Sequence, residues 1–428
     1  MQLTQGAVTR QNGRVRMAFE IEFDEACRPG DLHAEESQLQ QLLNTVAVSA
    51  VGQLLSRYDT HGEPLQINGQ TYTSKGSFPG TYQCYGGPVE VKREVYQGSG
   101  GGRTYCPMED RARIVSGTTP HFAAIVTGKY SAQSGRAVRT DLQRTMQRSV
   151  SVDFIQTLAG EVGKTVTAKE RYPAYQIQTP ADRIHAVVMA ADSTCVPIVG
   201  EEFRHVPVGC FCLMDAEGEC LEKFYVVNSP EDRKVNFWQR MDVEARRLQE
   251  HCGPDVPWFG VCDGAPELQE KLEIYCDVVT LDFYHLSEYV GEAAEGVQPT
   301  PEAREKWIGK VLHDLKHREG AAGRLLDSLK RRKAQASSSE AAAVLEKAIG
   351  YVDRNLERMH YAAVRAEKMP IGSGVIEAAC KHVVKQRVSI SGARWKRKEL
   401  QHVLSLRCLY LGSNRWEQFW RQCANFGY

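Results

Sequence analysis

Three acidic residues in this chain are placed where they could do chemistry together. Asp192 ends the apolar run "IHAVVMAAD", Asp263 ends "PWFGVCD", and Glu377 follows "PIGSG" at the start of a helical pattern. Any one of them alone is ordinarily a helix cap or a surface charge. Three carboxylates gathered at one sheet end repel each other unless cations neutralise them. Oxygen ligands with water completing the shell suit Mg²⁺ or Mn²⁺. Two such ions, about 4 Å apart, can activate an attacking oxygen and stabilise the leaving oxygen of a phosphodiester without a covalent protein intermediate. Gly264 after Asp263 allows a sharp turn, and Gly372 and Gly374 before Glu377 allow close backbone passage.

The elements that must position these acids follow from the hydrophobic pattern. "IHAVVMAADSTCVPI" reads as a buried strand, "VGCFCLMDAEGECLEKFYVV" as a hairpin turning at "DAEG", and residues 231–251 as a helix. "PWFGVCDGAPEL" and "CDVVTLDFYHLSEYV" are two further strand–helix junctions. Three strands, helix, strand, helix, strand, helix is the order of a ribonuclease-H-like α/β fold, a mixed sheet with helices on both faces. Ligand chemistry in such sheets gathers outside strand ends.

The rest of the chain divides by texture. At 428 residues it is long enough for several domains, and 42% hydrophobic with 25% charged residues is ordinary globular composition. The expected segments are 1–116, with an amphipathic helix over 35–58 and a β-hairpin whose tip is "GSGGG"; 117–180, helical, broken near Ser149–Ser151 with Ser151 as a cap, compatible with a helix-turn-helix; 181–294, the first part of the catalytic core; 295–369, an all-helical insertion interrupted at "AQASSSEAAA"; and 370–428, the rest of the core with a basic tail. In that tail Lys385, Arg387, Arg394, Lys396, Arg397 and Lys398 could hold backbone phosphates, with Trp395 stacking on a base or packing inside. A solvated surface patch is the plain alternative.

Composition also excludes. Formal net charge is zero, so a nucleic-acid surface must come from local patches. No apolar run is long enough to span a membrane, and "MQLTQGAVTRQNGRVR" has no signal-peptide core, which points to a reducing, cytoplasmic setting. The 13 cysteines are scattered with no C-x-x-C pair, and Cys84 with Cys106 is the one pair that invites zinc.

"ADSTCVPI", "CDGAPEL", "LDFYHLSEYV", "PIGSGVIEAACK" and "ISGARWK" resemble the DDE transposases of bacterial insertion sequences, in particular the ISKra-type family related to the Mutator-like group. The resemblance covers roughly residues 107–424 and is strongest from Ala191 on. It implies that Asp192, Asp263 and Glu377 are the catalytic, metal-binding acids, with two Mg²⁺ or Mn²⁺ ions. Asp282 and His285 match the family's D-x-x-H signature. Both can face the site, and His285 could hold the scissile phosphate or assist proton transfer, or be a structural histidine. The family's activity would be to cut insertion-sequence ends with metal-activated water and join the 3′ hydroxyl to target DNA. The implied partners are double-stranded DNA (terminal inverted repeats and target) and a second copy of the chain, in the bacterial cytoplasm at the nucleoid. Such proteins often carry an N-terminal cysteine knuckle, of which only Cys84 and Cys106 remain here. A structure-specific nuclease on the same fold, or a catalytically idle DNA-binding derivative, would share the pattern.

Overall fold

The computed structural model describes residues 1–23, 25 and 31–422. The chain divides into two units, Met1–Ala168 with the segment that starts at Glu417, and Lys169–Trp416.

The second unit is built on one five-stranded sheet. Its strands are β1 (Ala186–Pro197), β2 (Phe203–Met214), β3 (Cys220–Val227), β4 (Trp258–Cys262) and β5 (Val278–Leu281), in the order β3-β2-β1-β4-β5. β2 is antiparallel to both β1 and β3, while β4 runs parallel to β1 and β5. A strand with parallel partners is covered on both faces, and this is why β1 and β4 read as unbroken apolar runs. The "DAEG" turn joins β2 to β3, with the Asp215 carboxylate accepting from the amides of Glu217 and Glu219 at 3.0 and 2.8 Å.

Helix α1 (Val235–Cys252) covers one face, packing Phe237, Met241, Ala245 and Leu248 on Val187, Met189, Phe211 and Leu213. The other face buries Val188, Cys212 and Phe259 under Val364, Met369 and Val375. After β4 comes α2 (Pro266–Leu272), and after β5 comes α3 (Phe283–Val297). Helices α4 (Pro301–His317), α5 (Ala321–Ala334), α6 (Ser339–Asn355) and α7 (Tyr361–Ala366) fill the stretch expected to be an all-helical insertion. They share an apolar core with α3 that includes Leu286, Val290, Leu315, Leu325, Leu345 and Val352. The "SSSE" break is a cap: the Ser338 hydroxyl accepts from the Ala341 amide at 3.1 Å. Helix α8 (Gly374–Ala379) continues through a π-helical stretch, Cys380–Lys385, to Val388, and α9 (Arg397–Leu411) follows.

In the first unit a helix over Leu32–Leu55 precedes two long antiparallel strands, Gln70–Gln83 and Pro88–Gly98. The hairpin therefore turns at Cys84–Gly87, not at "GSGGG" as expected. The "GSGGG" segment instead leads from the second strand to a single bridge between Tyr96 and Tyr105. Gly76, Pro79 and Gly80 look like strand breakers in sequence, but Gly76 falls in a bulge between Ser74 and Ser77, and Pro79 and Gly80 keep register with Lys92 and Val91. Residues 120–169 form three helices, Pro120–Ala132, Gly135–Met146 and Val152–Lys169. The hydroxyl of Ser151 accepts from the Phe154 amide at 3.0 Å, the expected cap. Cys84 and Cys106 are free thiols buried in one apolar cluster with Tyr82, Val89 and Met108. Burial raises the Cys106 thiol to about 11.

Candidate active site

The sheet register brings two of the acids level with each other. In the parallel pair of β1 and β4, Ala190 lies opposite Val261. Asp192 and Asp263 each stand two residues further on. Asp192 is not the end of its strand, as the sequence suggests. β1 continues to Pro197 because β2 keeps pairing along its other edge, with Asp192 opposite Val208. Asp263 leaves the sheet at once. Gly264 has φ +95, a conformation that excludes most side chains, and a Cβ there would meet Leu281 at 3.1 Å and the Tyr351 hydroxyl at 3.4 Å. The Asp263 carboxylate accepts from the Ala265 amide at 3.0 Å, and the Tyr351 hydroxyl donates to the Asp263 carbonyl at 3.2 Å.

Glu377 comes in on α8. Three residues on, and so on the same helix face, the Cys380 sulfur lies 3.9 Å from Asp192 Oδ2. Burial pushes the Asp192 carboxyl up, and the charges of Asp263 and Glu377 push it the same way. Burial, with Asp192 adding to it, raises the Cys380 thiol to about 12, so it stays protonated. The Glu377 carboxylate takes the hydroxyl of Ser373, four residues earlier. Ser373 in turn is tied to Asp282, through its hydroxyl at 2.8 Å and its amide at 3.0 Å. Asp282 also accepts the Tyr284 amide at 3.0 Å, capping α3. The "PIGSG" segment is thus clamped onto the head of α3. Gly372 is needed there: a Cβ would lie 2.6 Å from the Tyr284 ring. Gly374 has open space around its Cβ position, so close passage does not account for it.

Asp192 and Asp263 offer hard oxygen ligands whose mutual repulsion a divalent cation would relieve, and in donor chemistry they fit Mg²⁺ or Mn²⁺. Among the described residues, no group of three or more His, Cys, Asp or Glu is gathered tightly enough to hold an ion, and Glu377 is engaged with Ser373. His285 is on α3, with Nδ1 3.3 Å from Glu288 and its ring beside Tyr289 and Tyr351. Tyr351, beside its ring, holds the Asp263 carbonyl. Asp282, its partner in the D-x-x-H pattern, is 4% exposed and acts as cap and clamp.

The basic residues after Glu377 separate into two groups. Lys385, Arg394, Lys396, Arg397 and Lys398 are exposed. Arg387 and Trp395 are not on an open DNA face: they are 2% and 7% exposed, with the Arg387 guanidinium 5.0 Å from the Trp395 ring centre and the indole N–H donating to the Val388 carbonyl at 3.0 Å. Trp395 is interior because its segment bridges to Ile198, just past β1. Arg397 is exposed but occupied. It grips Glu201 at 2.8 and 2.6 Å and holds that carboxyl down to about 2. Arg407 is interior too, donating to the Val383 carbonyl at 2.7 Å and to the His382 carbonyl within the π-helical stretch.

Ser373, Cys380 and Lys234 are site residues that the sequence did not single out. Ser373 had a faint signal, a hydroxyl residue four positions before an acid at a helix start. Cys380 had the three-residue spacing from Glu377. Lys234 had none: it lines the pocket bordered by Asp192 and Asp263 only because the chain folds back before α1.

No family model and no curated protein matches the chain. Among solved structures it is similar to the Drosophila P element transposase strand transfer complex, with a TM-score of 0.38 and 10% sequence identity over 70% of this chain and 93% of that one. Among the described residues no helix is long and apolar enough to cross a membrane.

Proposed function

We propose that the chain is a DNA transposase of the DDE type, its Lys169–Trp416 unit a ribonuclease-H-like catalytic domain. The observation that carries this reading is the acid geometry: Asp192 and Asp263 level across β1 and β4, with the Glu377 helix alongside Asp192. A central strand flanked by an antiparallel hairpin and two parallel strands, in the order β3-β2-β1-β4-β5, supports the ribonuclease-H-like assignment. So does an all-helical segment between the second and third acids.

Asp192, Asp263 and Glu377 would hold Mg²⁺ or Mn²⁺, which when bound supplies activation of the attacking oxygen and stabilisation of the leaving one. The chain's own part is positional. β1 holds Asp192 in a strand, Gly264 and Tyr351 aim Asp263, and the Asp282–Ser373 clamp sets where Glu377 arrives. Exposed Lys396 and Lys398 would lie against backbone phosphates near the far end of β1, about 20 Å from Asp192 at the rise of an extended strand. Two DNA ends must be held at once, so the working unit is a dimer.

The test uses DNA carrying the chain's own gene with its flanks, Mg²⁺, and sequencing of the products. Cut ends joined to new DNA with a short target duplication are expected. Asp192→Asn, Asp263→Asn and Glu377→Gln should each abolish cutting and retain DNA binding, and Ca²⁺ should support binding alone. Undiminished cutting in excess chelator, or by any of the three variants, would overturn the reading. Cutting without joining would make the chain a nuclease instead.

A further inference from the structure

The pocket beside the acid pair has lining residues that the three-acid reading leaves unused. Besides Asp192, Asp263 and Glu267 it is lined by Lys234 and Trp238. Lys234 is the residue before α1, and both it and Arg233 are left-handed, with φ 50 and 58. Two consecutive non-glycine residues in that region are unusual, and they hold the chain in a tight reversal at the pocket. The reversal is anchored from behind. The Glu231 carboxylate accepts from the amides of Phe237 at 2.8 Å and Asn236 at 3.3 Å, so the helix start is satisfied by Glu231 and not by a ligand.

Both of these donors are unspent. Among the described residues the Lys234 ammonium has no carboxylate within ion-pair distance, although three acids, Asp192, Asp263 and Glu267, line the same pocket. The indole N–H of Trp238 is buried and has no acceptor. A buried donor left without a partner is costly, and a ligand oxygen would relieve it. Acids and unpaired donors lining one pocket suit a ligand that presents anionic oxygens in more than one direction. A phosphodiester does this: one oxygen can face a cation held by the carboxylates while another faces the donors.

We infer that Lys234 and Trp238 form a phosphate subsite that holds a backbone phosphate of the strand being cut, next to the acid pair. This rests on the transposase reading, and the experiment separates the two. The cut position is first mapped with the wild-type protein. The full-length chain and its Lys234→Ala, Lys234→Arg and Trp238→Phe variants are then assayed for single-turnover cutting of two duplexes. One is unmodified. The other carries an uncharged methylphosphonate in place of one phosphate, walked through the positions flanking the cut.

On unmodified DNA, Lys234→Ala should slow cutting by about tenfold to hundredfold, and Trp238→Phe by a smaller factor. Lys234→Arg should recover most of the loss. At one methylphosphonate position the wild type should be slowed by a similar factor, and there Lys234→Ala should cause little further loss. Multiplying penalties at every position would mean that Lys234 and the phosphate do not meet, and would overturn the inference. So would a Lys234→Ala variant that cuts like the wild type. A wild-type protein that cuts no DNA with Mg²⁺ or Mn²⁺ would overturn the transposase reading and the subsite with it.

Discussion

Asp282 should be replaceable by asparagine but not by alanine. Its carboxylate is 4% exposed and serves three donors, the amides of Tyr284 and Ser373 on Oδ1, each at 3.0 Å, and the Ser373 hydroxyl on Oδ2 at 2.8 Å. A hydrogen bond to a charged group contributes about 1.5–3 kcal/mol, and a buried donor left unmatched costs a similar amount. Alanine strands the two amides, while the Ser373 hydroxyl keeps Glu377 as its acceptor. Because they share one acceptor the losses do not add fully, and about 3–5 kcal/mol is expected. Asparagine keeps an oxygen where Oδ1 stands, so both amide bonds survive. Its NH₂ then faces the Ser373 oxygen, which can accept while its own proton goes to Glu377. Asparagine is also as good a helix cap as aspartate, so its cost should be about 1 kcal/mol or less. Hydrogen exchange of the full-length chain, followed over residues 283–286 and 371–377, measures this directly. The alanine variant should lose protection in both segments together, and the asparagine variant should keep it. Equal losses in the two variants, or loss in one segment only, would refute the clamp.

Gly372→Ala should destabilise the same segment by about 1–3 kcal/mol, because its Cβ falls 2.6 Å from the Tyr284 ring, while Gly374→Ala should be neutral or slightly stabilising; denaturant melts compare the two. Lys396→Ala with Lys398→Ala should flatten the plot of log DNA affinity against log salt by about one to two units, whereas Arg397→Ala alone should flatten it less, since that guanidinium is already taken by Glu201. Burial raises the Glu170 carboxyl from 4.5 to about 7, outweighing Arg240 at 3.0 Å. The folded state therefore keeps that proton to higher pH than the unfolded chain, and this contribution is present below pH 4.5 and lost as pH rises through 7. Stability curves of wild type and Glu170→Gln should accordingly diverge across that window in favour of the variant, by at most about 3 kcal/mol.

The order of strands and helices along the chain was legible because buried strands write themselves as apolar runs. The true end of β1 was harder to see. Past Asp192 the strand pairs along one edge only, and "STCVP" opens on two small polar residues and closes on a proline, which looks like a departing loop. The fate of Arg387 was not legible, whereas packing inside was one of the two readings open for Trp395. A basic residue beside an aromatic reads as a nucleic-acid surface whether it faces water or, as here, stacks inside. The first-unit hairpin was misplaced because glycine and proline in a bulged strand carry the same signal as a turn. The clamp was hidden for another reason: Asp282 and Ser373 are far apart in sequence, and only the return of the chain after α7 brings them together.

The unequal mounting of the two neighbouring acids bears on ion size. Asp192 is part of a strand that runs on past it, paired to β2 on both sides of that point, so its oxygens have a fixed address. Asp263 sits outside the ladder, on a turn made by one glycine and steadied by one tyrosine hydroxyl. Mg²⁺ holds its ligands at about 2.0–2.1 Å and Ca²⁺ at about 2.3–2.6 Å. In the proposed site the difference would fall on the Asp263 side, where Leu281 and Tyr351 crowd Gly264 from behind. That short turn would then act as a calliper, and the choice of ion would be decided by residues that never touch it.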